Sequence, residues 1–115
     1  METIKLSSLD QLNQLTADNA NVLLIVSKNA CPGCENLKRA LDNTALLQDA
    51  LANVVVVIAQ METVRNIVTT FGLRQAPSMI LFKDDEEVAR LAGFMTPAPL
   101  IEAINKAFNP VAQAA

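Results

Sequence analysis

Cys31 and Cys34 are the only cysteines in the 115-residue chain, and they stand in the run Cys31-Pro32-Gly33-Cys34. Two thiols at this spacing admit three chemistries: a dithiol that cycles to a disulfide, half of a metal site, or a small structural staple. A staple is not required, because a chain of this length with 51% hydrophobic residues builds a core without cross-links. Between redox pair and metal ligands, the residues around the cysteines have to decide.

Composition removes several function classes. Net charge is −3 and Lys and Arg form no stripe, so the phosphate neutralisation that nucleic-acid binders rely on is missing and no nucleic-acid partner is expected. The opening METIKLSSLDQL carries an acidic second residue and no apolar leader core, and the longest apolar runs, 22–26 and 54–59, are too short to span a bilayer. The expectation is a soluble, unsecreted, cytoplasmic protein without membrane contact. Cysteines in such a reducing compartment are more often catalytic or metal-binding than structural.

The elements that must position the cysteines follow from hydrophobic period. TIKL reads as a short first strand, and Ser7 or Ser8 caps a helix with Leu9, Leu12 and Leu15 on one face, ending near Asp18 and Asn19. NVLLIVS and NVVVVIAQ are continuous β-branched runs, the pattern of strands buried on both faces. A second helix starts at the cysteines, with Leu37, Ala40, Leu41 and Ala45 at helical spacing and Pro32 at the first helical position. METVRNIVTTFG reads as a third helix, with Val64, Ile67, Val68 and Phe71 inward and Gly72 as its stop. SMILFK and EVARLAG form a hairpin around the charged DDEE. The last helix opens with Thr96 as N-cap and Pro97 at N1 and buries Leu100, Ile101, Ile104 and Phe108. The order is β-α-β-α-β-α-β-β-α in a single α/β domain over 1–109, with a frayed tail at 110–115.

Pro77 stands immediately before a strand, where it donates no hydrogen bond and restricts its predecessor. Here the chain resembles the thioredoxin family over nearly its whole length. FGLRQAPSMILFK is similar to that family's segment leading into its fourth strand, and LAGFMTPAPL to its Gly-containing turn into the final helix. The resemblance implies a thioredoxin fold, a central mixed sheet flanked by helices, and a cis bond between Ala76 and Pro77 lying against the cysteines. It implies further that Pro32, Gly33, Ala76, Pro77, Ala92 and Gly93 hold the substrate.

The chemistry of the cysteines agrees with that implication. The attacking species is a thiolate, and a Cys at a helix N-terminus has its anion stabilised by unpaired backbone N–H groups and the helix dipole. That favours Cys31 as nucleophile, with Cys34 one turn on as the resolving thiol. A metal site would lack ligands: zinc takes about four donors, and the chain has two Cys and no His.

The chain also departs from the family. Ala30 replaces a Trp before the first Cys, Pro-Gly replaces Gly-Pro between the cysteines, and Ile25 stands where the family keeps a buried Asp. No Lys in NVVVVIAQ replaces that Asp's usual companion, so proton transfer at Cys34 falls to water or to Glu35 or Lys28. Proline after the first Cys is a glutaredoxin trait, but AGFMT lacks the Gly-Gly and Asp that bind glutathione in that group. The resulting expectation is a monomeric thiol-disulfide oxidoreductase that reduces protein disulfides through Cys31 and Cys34. It needs no cofactor beyond its redox-active disulfide and takes electrons from a thioredoxin-reductase-type flavoenzyme. A glutathione-fed reductase and a non-catalytic binding module of the same fold are the alternatives.

Overall fold

The computed structural model describes residues 2–110. In chain order these form β1 (Thr3–Lys5), α1 (Leu9–Asp18), β2 (Asn21–Ser27), α2 (Pro32–Asn43), α3 (Ala45–Ala50), β3 (Val55–Gln60), α4 (Ile67–Phe71), β4 (Ser78–Lys83), β5 (Glu86–Ala92) and α5 (Ala98–Phe108). The strands make one mixed sheet in the order β1-β3-β2-β4-β5. β3 runs parallel to β1 and β2, β4 antiparallel to β2, and β5 antiparallel to β4.

The continuous apolar runs take the central positions because both of their faces are covered. Leu23 and Ile25 of β2 join Met79 and Leu81 of β4 under Leu37, Leu47, Leu100 and Ile104 from α2, α3 and α5. Val22, Leu24 and Val26 face the opposite way, toward Leu12 of α1 and Ile67 of α4. Each such buried aliphatic side chain contributes about 1.5–3 kcal/mol relative to exposure. The two layers fix the sheet, and the carboxyl end of β2 delivers the chain to Cys31.

Four sequence expectations are corrected. The second helix is two helices, broken at Thr44, which has extended backbone and both ends α2 and precedes α3. Asp42, Asn43 and Thr44 are poor helix formers. Gln48 Nε2 donates to the Leu41 carbonyl at 3.0 Å, which supplies a partner that a continued helix would have provided, and Asn43 Nδ2 adds a bond to the Arg39 carbonyl at 2.9 Å in the last turn. The third helix is confined to Ile67–Phe71; the preceding residues form turns, although Val64 and Ile67 are buried as expected. Gly72 ends it in the left-handed conformation at φ 63°. At the hairpin the tip is Asp84-Asp85 alone, with φ 50° and 68°, and Glu86 already pairs with Lys83. The last helix begins at Ala98 with Pro97 as N-cap, one residue later than expected, and Ile101 is only half-buried.

Around Val88 the β4–β5 register slips, so that Leu81 faces Ala89 while Phe82 faces Glu87. The bulge brings Glu87 and Arg90, three apart, to one face. Their side chains form a two-pronged ion pair at 2.6 and 2.8 Å, and Arg90 Nη1 also donates to the Phe71 carbonyl at 2.7 Å, tying the edge strand to α4. Residues 111–115 of the tail expected to fray lie outside the described residues.

Candidate active site

Ser27, the last residue of β2, has an entirely buried side chain; the next three residues, Lys28, Asn29 and Ala30, are exposed and lead into α2. This short connection is held from the side. Both carboxylate oxygens of Glu62 accept the Asn29 backbone N–H, at 3.1 and 3.3 Å, and Gln60 Nε2 donates to Asn29 Oδ1 at 2.9 Å. The hydrogen bond from Asn29 is the main reason the Glu62 carboxyl lies below its ordinary value, with further hydrogen bonding and the Lys28 charge acting the same way. Ala30 takes φ 50°, a left-handed conformation that turns the chain into the helix.

Cys31 is the N-cap of α2, and Pro32 fills the first helical position, where its missing N–H is immaterial. Cys31 Sγ accepts the Cys34 backbone N–H at 3.1 Å, as a capping oxygen would. The two sulfurs are bonded, with Cα atoms 5.2 Å apart. Both cysteines are buried, Cys31 7% exposed and Cys34 1%, so the order of accessibility is the expected one and Cys31 is the less sheltered of the pair.

Of the other residues predicted for the site, Gly33, Pro77 and Gly93 are linked by direct contacts, while no such contact brings Ala76 or Ala92 to the cysteines. The Ala76–Pro77 bond is cis, Pro77 is buried and Ala76 half-buried. A Cβ built on Gly33 would lie 3.2 Å from Pro77 Cδ and 3.5 Å from the Phe94 carbonyl oxygen, so the α2 start, the Pro77 loop and the turn after β5 meet at Gly33. The Gly93 N–H donates to the Pro77 carbonyl at 2.8 Å, while Ala92 is exposed and pairs with Ser78. Gly93 has φ 81°, so it is both a left-handed turn glycine and a tie to Pro77. Next to it a groove of about 430 Å³ is lined by Met79, Leu91, Gly93, Phe94 and Met95. Met95 is 93% exposed.

Ile25 is 1% exposed and stands in register with Ile58, so the place below the cysteines that the resemblance assigns to an acid–base pair is apolar on both strands. Glu35 lies on the exposed side of α2, 3.9 Å from Lys38, and Lys28 is exposed. Neither shares the shelter of Cys34. Three features of the site were not singled out from the sequence: the Glu62 clamp, the left-handed Ala30 and the buried Ser27 hydroxyl. Of these only Ser27 left a signal, as the polar end of an otherwise apolar run four residues before Cys31.

No group of three or more His, Cys, Asp or Glu side chains is placed to hold a metal among the described residues, and none of their helices is long and apolar enough to cross a membrane. Among curated proteins no sequence relative matches. Solved structures do. Mitochondrial thioredoxin 3 from Saccharomyces cerevisiae, in its oxidized form, superposes with a TM-score of 0.80 at 20% identity, over 90% of this chain and 94% of that one. Thioredoxin from Trypanosoma brucei brucei gives 0.81 at 13% identity over 92% and 90%, and a mutant thioredoxin from Halobacterium salinarum NRC-1 gives 0.76 at 22% over 91% and 89%. These likenesses establish the thioredoxin fold. The family model described as a thioredoxin-like domain matches residues 9–108, from the start of α1 to the end of α5. The chain that carries this bonded cysteine pair therefore belongs to the thioredoxin-like domain family.

Proposed function

We propose that this protein is a thiol-disulfide oxidoreductase that reduces protein disulfides. The observation that carries the reading is the seating of Cys31: an N-cap sulfur that accepts the Cys34 N–H, bonded to Cys34 and less sheltered than it. A sulfur held there has its anion favoured by the helix N-terminus. In the reduced protein the Cys31 thiolate attacks one sulfur of a substrate disulfide. The substrate bond breaks and one substrate sulfur leaves as a thiolate that takes up a proton. Cys34, deprotonated, then attacks Cys31 Sγ, releases the second substrate thiol and leaves the Cys31–Cys34 disulfide, two electrons poorer. The groove beside Gly93, Phe94 and Met95 is an apolar surface suited to an extended protein segment, and in this reading Pro32, Gly33, Ala76, Pro77, Ala92 and Gly93 hold the substrate.

Electrons return from a thioredoxin-reductase-type flavoenzyme rather than from glutathione. Phe94 and the exposed Met95 leave the turn after β5 without an acidic group for the tripeptide's amino end. The protein works as a monomer in the cytoplasm, with no cofactor other than its own disulfide.

The test is reduction of a generic protein disulfide with dithiothreitol as electron source. Acceleration over dithiothreitol alone is expected, lost in Cys31→Ser, while Cys34→Ser accumulates a mixed disulfide with substrate. A parent protein that gives no acceleration overturns the proposal and favours a binding module.

A further inference from the structure

Ser27 Oγ is completely buried and is the one buried side-chain polar atom without a hydrogen-bond partner among the described residues. A hydroxyl in that position is expensive to keep unless some state of the protein uses it. Its place in the fold narrows what that use is. Side chains alternate along a strand, so Ser27 continues the row of Leu23 and Ile25 on the face covered by α2 and α5. It is the last residue of β2, at the end of the sheet from which the chain turns into α2, whose first turn carries Cys34. Cys34 is equally sheltered, and its own N–H is committed to the other sulfur, Cys31 Sγ. No donor reaches Cys34 Sγ among the described residues. Cys34 continues the buried stripe of α2 that Leu37 and Leu41 press onto this face, so the unpartnered hydroxyl and the sulfur lie toward the same end of it, with no hydrogen bond between them while the disulfide is closed. The side chains that fill this face from the other elements are apolar, including Leu37, Ile58, Met79, Leu100 and Phe108. Lys28 and Glu35, the neighbours of Ser27 and Cys34 in sequence, and Glu62 are exposed at the rim, and Lys38, one turn beyond Cys34, is half-buried and 3.9 Å from Glu35.

We propose that Ser27 is a catalytic residue of the resolving step: its hydroxyl donates a hydrogen bond to the Cys34 thiolate once the disulfide is open. The assignment rests on the oxidoreductase reading above. In the mixed disulfide, Cys34 gives its proton to solvent base and Ser27 stabilises the sulfur anion without taking that proton. The Cys34 thiolate attacks Cys31 Sγ, the Cys31–substrate bond breaks, and the substrate sulfur departs with the electron pair and is protonated. In the closed disulfide the sulfur carries no charge, and the hydroxyl stands unpartnered.

The test uses the full chain in a Cys31→Ser background, where Cys34 is the only thiol and its thiolate is followed by ultraviolet absorbance across pH. Ser27→Ala is expected to lower the thiolate fraction at neutral pH by about tenfold, the scale of a lost charge-assisted hydrogen bond. Ser27→Thr, which keeps the hydroxyl, restores it, and Ser27→Val, its apolar isostere, does not. Oxidised Ser27→Ala is expected to denature no earlier than the parent, since it removes an unpartnered hydroxyl. An unchanged Cys34 titration in Ser27→Ala, or rescue by Val as good as by Thr, overturns the assignment. Because the titration requires no turnover, a protein that reduces no disulfide yet shows the Ser27 shift refutes the oxidoreductase reading and leaves the Ser27–Cys34 bond standing.

Discussion

Gly33 stands directly against Pro77, with 3.2 Å between the proline Cδ and the position a Cβ on Gly33 would occupy. The contact joins the turn that carries both sulfurs to the loop ahead of β4. It gives Gly33 a packing role in addition to leaving the sulfurs uncovered. Gly33→Ala sets two effects against each other. Alanine in a helix is favoured over glycine by about 0.8–1 kcal/mol, and the new methyl must displace Pro77 or the Phe94 carbonyl by a few tenths of an ångström. The net change in unfolding free energy is expected to stay within about 1 kcal/mol, while disulfide reduction slows severalfold because the groove beside the sulfurs moves. Denaturant unfolding and initial reduction rates measure the two separately; a variant with full activity would show that the Pro77 loop yields freely.

Backbone handedness gives predictions of opposite sign at two positions close to the cysteines. Gly93 has φ 81° and Ala30 has φ 50°. A side chain in the left-handed region costs roughly 1–2 kcal/mol. Gly93→Ala should therefore destabilise by about that amount, with added crowding because its Cβ would meet Gln75 Nε2 at 3.2 Å. Ala30→Gly should stabilise, by about 0.5–1 kcal/mol after the greater freedom of glycine in the unfolded chain is subtracted. Thermal unfolding of the two variants in one buffer checks the signs. Destabilisation of Ala30→Gly would mean that other contacts of the Ala30 methyl outweigh the strain.

Glu62 couples the loop before Cys31 to pH. Its carboxylate accepts the Asn29 N–H, and that bond chiefly holds its pKa below the ordinary 4.5. A group whose pKa is lowered on folding contributes stability above its unfolded value, and the contribution disappears as pH falls through the folded value. Glu87, lowered mainly by its hydrogen bonds with Arg90, acts in the same direction, so global melting mixes the two. A local readout separates them. Exchange protection of the Asn29 amide should fall as pH drops below 4.5 in the parent and should be low and independent of pH in Glu62→Ala, which has no acceptor. Equal protection in both proteins across that range would remove Glu62 as the holder of the loop.

How far the sequence reached depended on whether a pattern had one structural solution. β2 was legible to the residue, Asn21–Ser27, from an unbroken apolar run that suits a strand covered on both faces, and β4, Ser78–Lys83, as one arm of a hairpin around a charged turn; β3 begins at Val55, two residues inside the run read for it. Cys31 at the start of a helix was legible from Pro32, and the convergence of Gly33, Pro77 and Gly93 came from the resemblance. The stretch before α4 misled because Val64 and Ile67, three apart, point inward from consecutive turns as well as from a helix. Glu62 there reaches across to Asn29, a contact between residues 33 apart that no local pattern encodes. The break at Thr44 depends on side chains capping carbonyls, which hydrophobic period does not register. Ser27 was read as a strand boundary because burial of its hydroxyl becomes visible only when the helices cover the sheet.

Beneath the cysteines, where the resemblance implies an acid, this chain holds an aliphatic side chain. Ile25 is 1% exposed, pairs in register with Ile58 and packs in the layer that includes Leu37 and Leu100. Ile25→Asp restores the residue type that the family resemblance places there, without a basic partner on β3. Introducing a carboxyl into that layer removes aliphatic packing and adds an unsolvated polar group, a destabilisation of several kcal/mol. Burial raises the pKa of such a carboxyl above its unfolded value of about 3.9. The unfolded chain then ionises first as pH rises, so the stability deficit is smallest in acid and grows until the folded carboxyl also ionises. Ile25→Asn, nearly the same shape but unable to titrate, should show the packing deficit without that pH dependence. Resolution of a trapped mixed disulfide separates chemistry from packing: Asp supplies a base two residues from Ser27 on the same face and should speed the step, while Asn should not. If Asp and Asn resolve at the parent's rate, proton removal from Cys34 is not slow in this protein, and the apolar Ile25–Ile58 pair carries a gain in stability without a loss in rate.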